Sequence, residues 1–246
     1  MARKNRKQEE IIHDSHERSK KYGVTRDQQY PSLLLSEQEK AVLLDENRDL
    51  IRVAGPFLDM LYNFLEGSGF IILLTDKNGC ILSITGNPEP VTAAAGLNMV
   101  VGAYMNEMSI GTNAMGTALS ENSPVQVSAS EHFITAYHRW TCSAAPVHDD
   151  AGNIIGTVNL TGGRELVHPH TLGLVVAAVT AIENQLKNLK NEYRLKESAR
   201  YISQVMDSLS LAVMSVSEDG LITSANKMAH KLLKYQNGML SGKAID

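Results

Sequence analysis

His132, His138, Cys142 and His148 fall in one stretch of the chain, and imidazole nitrogens and a thiol are the groups that bind transition metals or serve as activated nucleophiles. His138 and Cys142 lie close enough in sequence to share an ion. Their setting argues against it: the segment alternates as a strand does, no zinc-type cluster recurs, and no third orienting group or oxyanion donor accompanies the cysteine. No metal site and no catalytic residue are expected, and Cys142 reads as a small buried hydrophobe. The tail around Gly238, Gly242 and Lys243 imitates a phosphate loop, but its spacing is wrong and Ala244 follows the lysine where a metal-binding hydroxyl belongs. With no other nucleotide-hydrolysing loop in view, the chain reads as a binding module rather than an enzyme, with no cofactor.

Two places suit recognition. Around Gly111, Thr112 and Asn113, the side chains of Thr112 or Asn113 can accept from the free amides of a helix start, and the same helix start can receive a polar ligand group. Capping alone and capping with ligand contact are both open. Trp140, the only tryptophan, begins a strand whose alternation puts Trp140, Cys142 and Ala144 on one face and Thr141, Ser143 and Ala145 on the other. An indole among small neighbours suits a pocket wall, although it also suits a filled core. Thr112, Asn113, His138, Trp140, Cys142 and Ser143 are the candidate ligand-binding residues.

The elements that must position them follow from periodicity. Residues 1–31 are charged, poor in large apolar groups, and read as a basic and polar arm, weakly ordered or a short exposed helix. Residues 32–66 carry apolar side chains at three-and-four spacing, with Ser36 and Glu39 arranged as a capping box, and read as one or two helices. Residues 67–168 hold five strand candidates (70–75, 80–85, 125–129, 141–148 and 154–160), with helices near 89–95 and 113–121. From 169 to 209 a helix is expected: Leu172, Val175, Val179, Ile182, Leu186, Leu189 and Tyr193 step like a two-stranded coiled-coil seam, with a stutter after Tyr193. The other reading of those positions is an amphipathic helix packed on its own sheet. Residues 210–246 begin a second unit, a hairpin and a helix, that stops short of an independent core. The fold class is α+β, an antiparallel sheet flanked by helices.

With 246 residues, 43% apolar and 20% charged, the chain can build a real core, and a formal charge of -4 gives no field to hold nucleic acid. Two distant cysteines make no disulfide framework, and no apolar run approaches the roughly 18 residues that span a bilayer. A cytoplasmic protein without membrane contact is expected.

Three blocks carry a family resemblance. They are Ser109-Ile110-Gly111-Thr112-Asn113-Ala114-Met115-Gly116-Thr117-Ala118-Leu119, then Pro124-Val125-Gln126-Val127 with Glu131-His132-Phe133, then Trp140-Thr141-Cys142-Ser143-Ala144-Ala145-Pro146-Val147-His148-Asp149. In order and spacing they resemble the GAF domain of sigma-54-dependent activators related to the acetoin-catabolism and dihydroxyacetone-kinase operon regulators. Ser15-His16-Glu17-Arg18-Ser19 with Tyr22-Gly23 resembles that family's N-terminal motif, His16 standing where a tryptophan is usual, and the stretch from about Ser203 is similar to the first third of a PAS domain. The resemblance implies a GAF-type sheet, a connecting helix and the start of a PAS domain. It implies a sensory region that binds a small effector and relays its occupancy through a homodimeric helix, or that docks a metabolic enzyme subunit without a small ligand. DNA, ATP and sigma-54 RNA polymerase are implied as partners only through domains outside this chain.

Overall fold

Apolar alternation on both faces dictates a sheet buried on both sides. The computed structural model describes residues 7–235 and 240–244, and the chain divides into two units, Met1–Lys187 and Asn188–Asp246. The basic residues Arg3, Lys4 and Arg6 and the loop-like Gly238 lie outside the described residues. Among the described residues no helix is long and apolar enough to cross a membrane.

The first unit runs α1 (Gln8–Lys21), α2 (Glu37–Glu46), α3 (Arg48–Leu65), β1 (Ile71–Asp76), β2 (Ile81–Gly86), α4 (Pro88–Ala95), α5 (Glu107–Ile110), α6 (Ala114–Glu121), β3 (Val125–Ser128), β4 (Trp140–His148), β5 (Ile154–Gly163) and the start of α7 (Pro169–Ser208). The five strands lie in the order β2-β1-β5-β4-β3, every pair antiparallel. The expected strands and the α+β sheet are all present. Ser36 and Glu39 form the reciprocal capping box of α2.

Successive side chains sort the molecule into two cores. Ile72, Leu74, Ala145, Val147, Val158 and Leu160 pack with Leu50, Val53 and Leu58 of α3 and with Val175, Val179 and Ile182 of α7. Ile71, Leu73, Cys142 and Ala144 face the other way, toward Ile110, Met115, Ala118, Met99 and Met105. The first half of the expected coiled-coil seam is thereby accounted for: Val175, Val179 and Ile182 are buried on the chain's own sheet.

The N-terminal segment departs from the expectation of an arm. α1 is a docked helix with Ile12, Ser15 and Ser19 buried. The composition argument failed because a few apolar side chains, Ile11, Ile12 and the following Val24, join the core while hydroxyl and guanidinium contacts supply the rest of the docking.

In the second unit, from Asn188, the helix continues to Ser208, and β6 (Met214–Val216) pairs antiparallel with β7 (Ile222–Ala225) ahead of α8 (Lys227–Leu232). Asn226 Oδ1 accepts from the Ala229 and Val213 amides (2.9 and 3.0 Å), while its Nδ2 donates to the Met206 and Leu211 carbonyls (2.9 and 2.8 Å). One asparagine caps α8 and ties the hairpin to the helix end.

Candidate functional site

The Gly111-Thr112-Asn113 turn is built for close packing. A Cβ on Gly111, at φ 73°, would fall 2.7 Å from Phe133 Cβ, and one on Gly116 would fall 2.7 Å from the Glu107 amide nitrogen. Asn113 caps α6, its Oδ1 accepting from the Gly116 amide (3.1 Å) and its Nδ2 donating to the Gly111 carbonyl (2.8 Å). Thr112 Oγ1 lies 2.8 Å from Ser15 Oγ and 3.2 Å from Ser19 Oγ of α1. Both residues are therefore satisfied within the chain.

Around them sits a buried polar clasp. Ser15 Oγ donates to Glu107 Oε1 (2.6 Å), and Arg18 reaches Glu107 through Nε (2.5 Å) and Nη2 (2.7 Å) and Glu121 through Nη1 (2.8 Å). Hydrogen bonding to Glu107 raises the Arg18 pKa above its ordinary value. His16 donates through Nε2 to the Glu131 carbonyl (2.8 Å) and meets the Phe133 ring edge-on at 5.5 Å. The serine and arginine of the N-terminal motif thus hold α1 on α5 and α6.

The sheet face carrying Trp140 and Cys142 is apolar except at a few points. Register places Cys142 opposite Thr161 and Ala144 opposite Asn159, so Asn159 and Thr161 share that face. Asn159 Nδ2 donates to Thr161 Oγ1 (2.7 Å), which lies 3.1 Å from Cys142 Sγ. Burial pushes the Cys142 thiol up to about 12, and burial does the same to Cys80, so neither is a ready thiolate. His132, wholly buried, has its pKa lowered to about 4 by desolvation. Its Nδ1 bonds the Ala129 carbonyl at 3.2 Å; a carbonyl only accepts, so Nδ1 carries the hydrogen and Nε2 of the neutral ring is an acceptor. The His132 and Tyr137 rings meet edge-on at 6.1 Å. Burial raises the Tyr137 phenol, and Tyr137, Trp140 and Cys142 belong to one buried cluster.

Four buried side-chain atoms have no hydrogen-bond partner among the described residues: His132 Nε2, Tyr137 Oη, Trp140 Nε1 and Asn159 Oδ1. His132 and Asn159 escaped the sequence-based ligand set, as did Tyr137 and Thr161. The available signal was the polar alternation Thr157, Asn159, Thr161 along β5, polar on a buried face.

Beside this face opens a cleft of about 670 Å³, lined among others by Glu89, Pro90, His138, Arg139, Trp140 and Arg164. The Arg139 guanidinium sits 5.1 Å from the Trp140 ring centre. Of the expected ligand residues, His138 and Trp140 line this cleft, while Cys142 lies deeper on the Trp140 face. Thr112 and Asn113 belong to the clasp and the cap. Ser143 lies on the opposite face, accepting from Gln126 Nε2 at 2.9 Å. The structure thus does not unite the six. The histidines are dispersed too: His138 Nε2 donates to the His132 carbonyl (3.2 Å), and His148 is bonded to Glu183 of α7 (2.8 Å) and to Asn122 (2.5 Å). Among the described residues no three His, Cys, Asp or Glu side chains assemble as a metal set.

Comparison with known proteins adds the following. The family profile described as "GAF domain" matches residues 49–186. A "Signal-transduction and transcriptional-control protein" of Clostridium beijerinckii is 44% identical over 237 residues, 96% of this chain and 38% of that protein. The "Acetoin dehydrogenase operon transcriptional activator AcoR" of Bacillus subtilis is 32% identical over 168 residues, 68% of this chain and 28% of that protein. The chain thus spans well under half the length of these relatives. Among solved structures, the crystal structure of the E. coli DhaR(N)-DhaL complex superposes with a TM-score of 0.90 at 23% identity, covering 96% of this chain and 80% of that one.

Proposed function

Since the chain belongs to the GAF domain family, we propose that it is the sensory region of a sigma-54-dependent transcriptional regulator and that its principal input is a docked protein. The observation that carries this reading is the shared fold with DhaR(N), which was crystallised with DhaL; the correspondence extends over 96% of this chain and so takes in more than the sheet domain. The interior supports it, because Thr112, Asn113 and Ser143, three of the six expected effector contacts, are spent on the chain's own groups. On this reading a metabolic enzyme subunit, the counterpart of DhaL, binds the sensor, and DNA, ATP and sigma-54 RNA polymerase are engaged by other parts of the full regulator. Mixing the purified chain with DhaL-type subunits and measuring mass by light scattering tests it. A stoichiometric complex is expected; failure of every such subunit to associate at about 10 μM, where even a micromolar complex is mostly formed, refutes docking.

A second reading, a small effector held against the Trp140 face, is favoured by the four unpartnered buried atoms. Native proteins seldom leave such atoms unpaired, since each costs about 1–3 kcal/mol. In that case occupancy passes through the sheet to α7, whose Val175, Val179 and Ile182 pack on its other side.

A further inference from the structure

The helices on the two sides of the sheet are joined around the end of one strand. α6 packs on the face that carries Cys142 and Ala144, and α7 packs on the face that carries Ala145 and Val147. β4 ends in His148, and its register against β5 shifts between Val147 and His148. Such a bulge re-aims a side chain. Glu183 Oε1 of α7 accepts from the His148 amide (2.8 Å) and lies 2.8 Å from the ring's Nδ1; a carboxylate only accepts, so Nδ1 carries a hydrogen. On the other side of the ring, Nε2 lies 2.5 Å from Asn122 Oδ1, at the end of α6. One imidazole therefore touches both covering layers.

Asn122 is the left-handed C-cap of α6 (φ 47°), and the residue before it, Glu121, accepts from Arg18 Nη1 of α1 at 2.8 Å. A polar line thus leads from Arg18 through Glu121 and Asn122 to His148 and Glu183. What it adds for α7 is direction. Val175, Val179 and Ile182 hold that helix by apolar contact, which is non-directional and lets a helix slide or turn. Glu183 holds His148 at two points, and hydrogen bonds do fix where a helix rests. Among the described residues up to Lys187, no other side-chain hydrogen bond ties α7 to the sheet. We infer that His148 is a positioning residue that couples the seating of α1 to the position of α7, so that loosening the N-terminal helix on one side of the sheet releases the outgoing helix on the other. The coupling belongs to the Met1–Lys187 unit and is the same whether a docked protein or a small effector is the input.

Residues that do not touch contribute additively to stability, to within about twofold in the folding constant, so coupling shows as a failure of additivity. Trp140 is the only tryptophan, and its emission in the intact 246-residue chain follows denaturant unfolding of the Met1–Lys187 unit alone. Glu183→Ala should lower the folding constant about tenfold in the parent, the loss of a charged hydrogen bond, but only about threefold once Arg18→Ala has cut the line at α1. Asn122→Gly removes the middle link and leaves a backbone that glycine adopts freely at this left-handed position. In that background the same two substitutions should be additive within about twofold. Glu121→Gln cuts the line while leaving Glu107 paired with Arg18, and it replaces Arg18→Ala if that protein does not fold. Glu183→Ala costing the same with and without the cut at α1 overturns the coupling. A failure of additivity that persists undiminished in Asn122→Gly overturns the route through His148. Either result leaves the docking reading untouched.

Discussion

At the scale of single residues, His132 has the largest consequence for pH behaviour. Its folded pKa of about 4 lies below the ordinary value of 6.5. Between those values the unfolded chain binds a proton that the native ring refuses, so stability is full above about pH 6.5 and falls as the pH drops toward 4, where the loss levels off. The difference corresponds to about 3 kcal/mol. Thermal melting from pH 7 to pH 4 should show that decline, and His132→Gln should flatten it; an unchanged slope in the variant would place the proton elsewhere. Sequence reasoning reached part of this neighbourhood. Trp140 and His138 were found because an unusual residue type advertises itself. Thr161 was missed because the strand was read as ending at Leu160, and Asn159, inside that strand, because polar alternation does not say which face it occupies until the register is known. Asn113 was correctly read as helix-start chemistry and its partners are local, whereas the Thr112 hydroxyl is claimed by Ser15 and Ser19 on a helix about a hundred positions away.

At the scale of elements, Arg18 is the cation that ties α1 to α5. Glu107 is 2% exposed, and Arg18 supplies its charge partner through two contacts. Arg18→Ala strands a buried carboxylate, so the variant should lose about 3 kcal/mol in denaturant unfolding and expose the 7–21 segment to proteolysis. Arg18→Lys should recover only part of this, because an ammonium cannot reproduce the planar two-point contact. Loss under 0.5 kcal/mol, the level of an ordinary surface change, would mean that α1 contributes little to holding the domain together. The strands were legible because alternation and turn chemistry agree, as at the Asp149 turn between β4 and β5. α1 was not, because beside Ile11 and Ile12 its docking surface is made of Ser15, Arg18 and Ser19, residue types that equally describe a solvated segment.

At the scale of the whole molecule, the family match runs from residue 49 in α3 to residue 186 in α7, wider than the 67–168 core expected from the strands. The reason is physical: the sheet is apolar on both faces, and α3 and α7 cover the one that α6 does not. Past Lys187 the helix changes character. Leu195 and Ile202 are 70% and 58% exposed, and Tyr193, Tyr201 and Val205 are also open. We read this stretch as the helix-to-helix contact of a homodimer. Light scattering should give twice the chain mass, and Ile202→Glu combined with Val205→Glu should give a monomer that still melts like the parent in the Met1–Lys187 unit. A parent that is monomeric at about 100 μM, weaker than most dimers that persist on a column, rules this contact out.

β4 and β5 act as a diaphragm one peptide thick. Trp140, Cys142, Asn159 and Thr161 press on one side of it, while Ala145, Val147, Val158 and Leu160 press on the other, against the helix that leads away. Because neighbours in sequence alternate between the two sides, the two buried surfaces can be rewritten separately. Exchanging every second residue of two strands therefore remakes one core while the other keeps its packing.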